Sequence, residues 1–124
     1  MKKVMIVDDS PLARQLVRAA VSSMIGVGGA EFLEAEDGSV ALRQLTVKKV
    51  DLIVCDLNMP VLDGHALLAR VRGLSLHKTT PFIVLSSLVN DAKVVQLKAA
   101  GANAVLKKPF STQQLKDSLR AVGL

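Results

Sequence analysis

The apolar positions of the chain fall into two patterns that alternate from one end to the other. Short, almost continuous apolar runs rich in β-branched residues are typical of strands covered on both faces, as in a parallel sheet. Longer stretches with apolar residues three or four apart are typical of amphipathic helices. We interpret the short runs as five strands, at residues 3–7, 31–35, 50–56, 81–87 and 104–108.

A helix is predicted after each strand, and capping residues mark the starts. Ser10 followed by Pro11 is a favoured helix start, and Ser111 with Gln114 resembles a capping box. The other starts are Asp37-Gly38-Ser39, before a helix of residues 40–47, Leu62-Asp63-Gly64 and Asn90-Asp91. The side chains predicted to face the core are Leu12, Leu16, Ala19 and Ala20, then Leu42 and Leu45, then Ala66, Leu67, Leu68 and Val71, then Val94, Val95, Leu97 and Ala100, and finally Leu115, Leu119 and Val122.

Five strand–helix units in strict alternation, without an internal repeat or a linker, predict one α/β domain over residues 1–124. Such alternation implies a parallel sheet with helices on both faces, joined by right-handed crossovers. Five strands are too few for an eight-stranded barrel. We therefore predict a doubly wound five-stranded sheet of order 2-1-3-4-5. The glycines of Gly26-Val27-Gly28-Gly29 follow a helix rather than a strand, so we reject a dinucleotide-binding fingerprint there.

Composition narrows the functional classes. Half of the 124 residues are hydrophobic, with three Phe and no Trp or Tyr, which indicates an aliphatic core and argues against disorder. No apolar run approaches the length of a membrane span and no signal peptide is recognisable, so we expect a cytoplasmic protein without a membrane partner. The single cysteine, Cys55, excludes an internal disulfide and is interpreted as buried packing.

The formal net charge of +5 raises the question of a nucleic-acid partner. The basic residues are dispersed apart from the pairs Lys2-Lys3, Lys48-Lys49 and Lys107-Lys108, and no aromatic residues are interleaved for base stacking. Direct nucleic-acid binding is therefore not expected. An ordinary solvated surface is the favoured interpretation, and an acidic partner surface is an open alternative.

Residues able to do chemistry stand where the predicted strands end. Strand one ends at Asp8 and Asp9, strand three at Asp56, strand four at Ser86 and strand five at Lys108. These ends share one edge of a parallel sheet, where crowded carboxylates repel one another unless a divalent cation such as Mg²⁺ is bound. A hydroxyl and an ammonium are suitable donors to a phosphoryl group, and a carboxylate can accept one as a nucleophile. Helix capping by the first two aspartates is the simpler alternative.

Four short motifs carry a resemblance to a known family. They are Val7-Asp8-Asp9-Ser10, Asp56-Leu57-Asn58-Met59-Pro60 with Asp63-Gly64, Leu85-Ser86-Ser87, and Lys107-Lys108-Pro109-Phe110. Together, and in this order, they resemble the receiver domain of bacterial two-component response regulators, of the chemotaxis-regulator kind. The resemblance implies a flavodoxin-like (βα)5 fold and a phosphorylation-activated signalling switch. Such a protein is not an enzyme beyond catalysing its own phosphorylation and dephosphorylation.

The resemblance also implies the ligands of a magnesium ion. Asp9 and Asp56 match the side-chain ligands of the family. Asn58 would supply its backbone carbonyl, and Asp8 would hold a metal-bound water.

Around the phosphoryl group, the resemblance assigns three further roles. Asp56 matches the phospho-acceptor, Ser86 the switch hydroxyl, and Lys108 the lysine that pairs with the phosphoryl group, with a bond to Pro109 that is usually cis. The implied partners are a sensor histidine kinase, or a small phosphodonor, and an output protein. The usual output face in the family consists of the last two helices and strand five.

Two positions bear on how such a switch would work. Val105 stands where the family often has Tyr or Phe, and Leu88 where the family often varies its dephosphorylation rate. Val105 keeps open a pseudo-receiver that is never phosphorylated. A phosphatase with an aspartyl-phosphate intermediate is a further alternative, but it would need a second Asp where Asn58 stands. His65 and His77 lack metal-ligand spacing and are expected at the surface or at helix ends.

Overall fold

The computed structural model describes residues 2–25, 29–59 and 61–123, so most of the predicted turn at Gly26-Val27-Gly28-Gly29 lies outside it. Strands and helices alternate along the chain, with a short 3₁₀ turn at Ser75–His77 before the fourth strand. The strands are β1 (Lys2–Val7), β2 (Ala30–Ala35), β3 (Leu52–Asp56), β4 (Phe82–Ser86) and β5 (Ala104–Lys107). The helices are α1 (Pro11–Ile25), α2 (Gly38–Val47), α3 (Gly64–Arg72), α4 (Asp91–Ala99) and α5 (Thr112–Ala121). No helix within these ranges is long and apolar enough to span a bilayer.

The five strands form one parallel sheet in the order β2-β1-β3-β4-β5, which confirms the predicted topology. β3 is the central strand and is buried along its whole length, as its continuous apolar run predicts. β2 lies at one edge and is mostly exposed or half-buried, in agreement with its weaker pattern. The strand ends differ from the predicted ones by one or two residues, as is usual where hydrogen bonding frays.

The core has two layers, because alternate strand residues point to opposite faces of the sheet. One layer lies under α2, α3 and α4 and includes Met5, Ile53 and Phe82 of the strands. The other lies under α1 and α5 and includes Ile6 and Val54. The helix side chains buried against the sheet are Val17, Ala20 and Val21 of α1, Ala41 and Leu45 of α2, Leu67, Leu68 and Val71 of α3, Leu97 of α4, and Leu115 and Leu119 of α5.

The predicted buried face of α1 is wrong for most of its residues. Leu12 and Leu16 are 65% and 62% exposed, Ala19 is also exposed, and only Ala20 of the predicted set is buried. The helix packs through the stripe named above, whose members are three and four residues apart and share a face. The leucines lie on the neighbouring face, where Leu16 lines a cavity of about 450 Å³ between α1 and the start of α5.

α4 is also buried less than predicted. Leu97 is fully buried, Val94 is half-buried and Val95 is 68% exposed. The helix packs mainly against the edge strand β5, so one side of it faces solvent. Its first turn contacts α3, where Nζ of Lys93 lies 2.7 Å from Nδ1 of His65. α4 is therefore attached to the sheet chiefly through one leucine.

His77 lies at the end of the 3₁₀ turn, one of the two places expected for it, but its side chain is fully buried rather than at the surface. Its Nε2 donates to the carbonyl oxygen of Lys48 at 2.9 Å, and its Nδ1 lies 3.0 Å from the hydroxyl oxygen of Thr80. Arg72 extends this network by donating to the carbonyl oxygens of His77, Thr80 and Gly101. These hydrogen bonds join the ends of α2 and α3 to the turn before β4.

The helix starts lie at the carboxyl edge of the sheet, and a side-chain oxygen caps each of them. The capping residues are Ser10, Asp37, Asp63, Asn90 and Ser111, and each accepts from the backbone N–H three residues later. Ser111 and Gln114 form the predicted capping box. α2 begins at Gly38, two residues before the predicted start, because Asp37 is its cap. The loops at this edge are thus anchored where each helix begins.

Candidate functional site

The chemically active residues predicted at the strand ends meet at the carboxyl edge of the sheet. Asp8 and Asp9 follow β1, Asp56 ends β3, Ser86 ends β4 and Lys108 follows β5. Asp8, Asp56 and Ser86 are buried, whereas Asp9 is exposed and Lys108 is half-buried. The parallel order of the strands is what brings together residues that are 100 positions apart in the chain.

The three aspartates form a compact acidic cluster. One carboxylate oxygen from each of Asp8, Asp9 and Asp56 lies within 4.8 Å of the other two. Oxygen ligands of this kind suit Mg²⁺, which is held by few carboxylates and keeps several of its waters. The residues present therefore fit Mg²⁺, with Asp9 on the solvent side.

Lys108 closes the cluster from the side of β5. Its Nζ lies 3.1 Å from Oδ2 of Asp8 and 3.3 Å from Oδ1 of Asp56, so one ammonium contacts both buried carboxylates. Burial disfavours the ammonium, but the hydrogen bonds and charges of Asp8 and Asp56 outweigh burial and raise the pKa of Lys108. The side chain is therefore a cation at neutral pH. Its peptide bond to Pro109 is cis, as the resemblance implies.

The pKa of Asp56 is raised above its ordinary value, chiefly because burial disfavours the carboxylate. Lys108 lowers it, and the charges of Asp8 and Asp9 add to the increase. A cation among the three aspartates would relieve that repulsion. A raised pKa also makes the ionised oxygen more basic, which suits a nucleophile.

Two donors hold the hydroxyl of Ser86, and sequence interpretation found neither of them. The backbone N–H of Leu88 donates to Oγ at 3.1 Å, and the side-chain amide of Asn58 donates to the same atom at 3.3 Å. A hydroxyl that accepts two hydrogen bonds keeps its own proton for donation. The amide contact joins the loop after β3 to the end of β4. No local motif signals it, because it depends on how two loops approach in space.

The loop between β3 and α3 passes so close to its neighbours that two glycines are needed. The N–H of Gly64 donates to the carbonyl oxygen of Leu57 at 2.9 Å, and a Cβ on Gly64 would lie 2.5 Å from the carbonyl oxygen of Asp56. The N–H of Gly38 donates to the carbonyl oxygen of Leu62 at 3.2 Å, and a Cβ on Gly38 would collide with that oxygen. Gly64 belongs to a motif noted above, whereas the need for Gly38 is visible only in the fold.

Arg14 of α1, a residue that the sequence interpretation missed, supports the backbone of the acidic cluster. Its Nη1 donates to the carbonyl oxygen of Asp8 at 2.6 Å, and its Nε pairs with Glu34 of β2 at 3.1 Å. The guanidinium thereby ties the end of β1 to the neighbouring edge strand. A hint in the sequence is an arginine one turn after the aspartates, but its partner lies 20 residues further on.

Large apolar side chains stand on the loops beside this ionic pocket. Leu88, after β4, is 78% exposed, and Val61, after β3, is 83% exposed. Val61 has a φ of 69°, a conformation unusual for a β-branched residue. Val105 of β5 is half-buried against the layer under α2, α3 and α4. Cys55 is fully buried beside Asp56, as predicted, and burial raises the pKa of its thiol well above the ordinary value.

Comparison with known proteins decides the family. Residues 4–120 match the family described as Response regulator receiver domain. The chain belongs to this family. The resemblance inferred from the motifs is therefore confirmed. Among its relatives, a probable chemotaxis protein CheY of Rhizobium etli is 34% identical over 120 residues, which cover 97% of this chain and 91% of that protein. The chemotaxis protein CheY1 of Helicobacter pylori is 33% identical over 121 residues, which cover 97% and 95%.

Solved structures agree with this receiver fold. The chemotaxis protein CheY4 of Vibrio cholerae has a TM-score of 0.86 and 36% identity, over 98% of both chains. The receiver domain of a Pseudomonas aeruginosa sensor histidine kinase has a TM-score of 0.83 and 26% identity, over 99% of this chain and 98% of the other. That structure holds a magnesium ion coordinated in its active site cleft. The flavodoxin-like architecture is therefore confirmed, and the protein is a receiver similar to chemotaxis regulators.

Proposed function

We propose that this receiver domain, residues 1–124, is a phosphorylation-activated switch of a two-component phosphorelay and accepts the phosphoryl group on Asp56. The observation that carries the proposal is the convergence of three aspartates and Lys108 at one edge of the sheet. Membership of the receiver family supports it, as does the similarity to proteins named for chemotaxis.

In the proposed reaction, an oxygen of the Asp56 carboxylate attacks the phosphorus of a phosphohistidine or an acyl phosphate. A P–O bond to Asp56 forms while the P–N or P–O bond to the donor breaks, and its electrons leave with the imidazole or the carboxylate of the donor. Lys108, 3.3 Å from Asp56, neutralises charge on the phosphoryl oxygens. The buried position of Asp56 limits the access of competing water.

Mg²⁺ would neutralise phosphoryl charge when bound. In this proposal Asp9 and Asp56 would hold it with their side chains and Asn58 with its backbone carbonyl. Asp8 would hold it through water, as the family resemblance implies, and its two oxygens also accept from the N–H of Ser10 at 2.9 Å and contact Lys108. The magnesium ion in the Pseudomonas aeruginosa relative supports this assignment.

The signal would begin at Ser86. Its hydroxyl has a proton to donate to a phosphoryl group on Asp56, and a movement of that hydroxyl changes the bonds from Asn58 and Leu88, which connect it to both neighbouring loops. That change shifts a pre-existing equilibrium in the loops and in α4, whose attachment through Leu97 is slight. Output follows from altered partner binding at the face of α4, β5 and α5. The donor is a sensor histidine kinase or a small phosphodonor in the cytoplasm.

Intact mass after incubation with acetyl phosphate, with and without Mg²⁺, tests the proposal. We expect a phosphoryl adduct that requires Mg²⁺ and is absent from Asp56→Asn. Asp51→Asn is the matched control, because it removes an aspartate at the opposite edge of the sheet and leaves the pocket intact. An adduct on Asp56→Asn would contradict the assignment of the acceptor.

A receiver that takes up no phosphoryl group, even with candidate kinases, would instead be an unphosphorylated interaction module. The half-buried Val105 is the feature that favours this second candidate, because an aromatic residue often stands there in the family. Turnover of an external phosphoester would point to a phosphatase, for which Asn58 is the unfavourable residue.

A further inference from the structure

Charge is distributed unevenly between the two edges of the sheet. Seven of the eleven acidic residues lie at or after the carboxyl ends of the strands, namely Asp8, Asp9, Glu36, Asp37, Asp56, Asp63 and Asp91. Five exposed lysines lie at the opposite, amino edge, namely Lys2, Lys3, Lys48, Lys49 and Lys78. We call these five residues the amino-edge lysine patch. The molecule is therefore bipolar along the strand direction, with its basic end farthest from Asp56.

The fold, not the sequence, assembles this patch from three separate segments. The N–H of Lys3 donates to Oδ2 of Asp51 at 2.8 Å, and the N–H of Asp51 donates to the carbonyl oxygen of Lys3 at 2.7 Å, so the start of β1 is joined to the loop after α2. The carbonyl oxygen of Lys48 accepts from the buried His77, which joins that loop to the turn carrying Lys78. The first link is exposed and the second involves a buried side chain, and together they hold the backbones of the three lysine-bearing segments side by side.

The acids at this edge do not cancel the patch. They are Glu31, beside Lys3 in the register of β1 and β2, and Asp51, whose carboxylate accepts from the backbone of Lys3. The lysines outnumber them, and among the described residues none of the five patch lysines forms a salt bridge. Their side chains are free to reach an anionic surface.

Two apolar side chains stand among the lysines. Val47, the last residue of α2, is 75% exposed and directly precedes Lys48. Leu76, in the 3₁₀ turn next to the buried His77, is 41% exposed and two residues before Lys78. Exposed apolar residues bordered by lysines are typical of surfaces that bind membranes. The lysines are attracted to anionic lipid headgroups, and the apolar side chains insert shallowly between them.

We propose that the amino-edge lysine patch, with Val47 and Leu76, binds the surface of an anionic lipid membrane. The patch residues are lysines, which act as point charges, and no aromatic residue for base stacking stands among them. Arg72 of the same edge is engaged by the carbonyl oxygens of His77, Thr80 and Gly101. In this orientation the acidic edge, repelled by the same membrane, faces away from it. The pocket of Asp56 then stays open to the solution. The sequence alone predicts no membrane partner, because it separates the lysines that the fold brings together.

Sedimentation with lipid vesicles tests the proposal. The probes are vesicles of phosphatidylcholine alone and vesicles with about one-third phosphatidylglycerol, at low and high salt. We expect binding to the anionic vesicles only, weakened by salt. Each lysine near such a surface strengthens binding by about fivefold, so Lys48→Gln/Lys49→Gln/Lys78→Gln should weaken it tenfold or more. Failure of the unaltered protein to bind would overturn the proposal.

Two comparisons separate this surface from net charge and from other anions. Lys93→Gln/Lys107→Gln/Lys116→Gln removes the same charge from the face of α4, β5 and α5, and should weaken binding less than threefold. Equal losses in the two triple variants would mean that only net charge matters and would overturn the proposal. Val47→Ser/Leu76→Ser keeps every charge and should weaken vesicle binding several-fold. Tighter binding to a DNA duplex than to vesicles, unchanged by the serine variant, would assign the patch to nucleic acid instead.

Discussion

The carboxyl and amino edges of the sheet end the same five strands, yet they are built for different purposes. The carboxyl edge concentrates acids around Lys108 and leaves Asp9 and Leu88 open to solvent. At the amino edge, hydrogen bonds from His77 and Arg72 join neighbouring segments, and the exposed surface is basic. At the carboxyl edge, crowded carboxylates repel one another in a pocket. At the amino edge, hydrogen bonds within the protein satisfy the buried polar atoms.

This difference shows how one sheet can be both rigid and responsive. Buried polar atoms that are all satisfied hold neighbouring segments in one arrangement. Buried carboxylates that share one ammonium are poised for an added ligand or charge. We therefore expect substitutions at the amino edge to change stability with little effect on phosphoryl chemistry, and substitutions in the pocket to change both.

The largest expected difference in stability is between alanine substitutions at two glycines, one at each edge of the sheet. Gly64→Ala places a Cβ 2.5 Å from the carbonyl oxygen of Asp56, so the strand end or the loop must shift. We expect a loss of about 3 kcal/mol or more in the free energy of unfolding, measured with urea, together with loss of adduct formation. At the end of α3, a Cβ on Gly73 would lie 3.4 Å from the carbonyl oxygen of Arg70. Gly73→Ala should therefore change the free energy of unfolding by less than about 1 kcal/mol. Equal effects would erase the distinction between the two edges.

A smaller loss is expected from the buried histidine of the amino edge. His77→Leu leaves the carbonyl oxygen of Lys48 and the hydroxyl of Thr80 without their partner. Urea unfolding should show a loss of about 2–3 kcal/mol, while adduct formation at a temperature where the variant is folded should be unchanged. His65→Leu, which removes the half-buried contact to Lys93, should cost about 0.5 kcal/mol. A defect in phosphorylation with His77→Leu would show that the amino edge reaches the pocket.

The smallest expected effect is a gain in stability rather than a loss, and it depends on pH. The raised pKa of Asp56 means that its ionised form destabilises the folded protein above that pKa. Asp56→Asn should therefore be more stable than the unaltered protein at pH 7, as measured by urea unfolding. The gain should shrink as pH falls through the raised pKa and vanish below the ordinary value of 3.8, where both states hold the proton. Asp51→Asn should show no gain, and a gain that persists at low pH would contradict the explanation by charge.

Much of the fold is predictable from the sequence because its determinants are local. The apolar run of β3 and the caps at Ser10 and Ser111 each act within a few residues, and each prediction is confirmed. The predicted buried face of α1 is wrong because the helix has apolar residues on two faces, and the sheet and α5 together cover the face of Val17 rather than that of Leu12.

The candidate site likewise contains residues that the sequence predicts and contacts that it does not. Asp56, Ser86 and Lys108 are predictable because a parallel order brings strand ends to one edge. The amide contact from Asn58 and the support from Arg14 are not, because each joins segments far apart in the chain through side chains with several possible partners. The roles assigned to these residues in phosphoryl transfer stay predictions.

The two outer strands of the sheet have a consequence for how copies of the protein meet. β5 is only four residues long and carries the exposed Lys107, and β2 carries the exposed Glu31 and Glu34. Short, charged edge strands are poor templates for the strands of another molecule. Sheets of neighbouring copies should therefore not join edge to edge, and concentrated solutions of the protein should resist the growth of intermolecular β-structure.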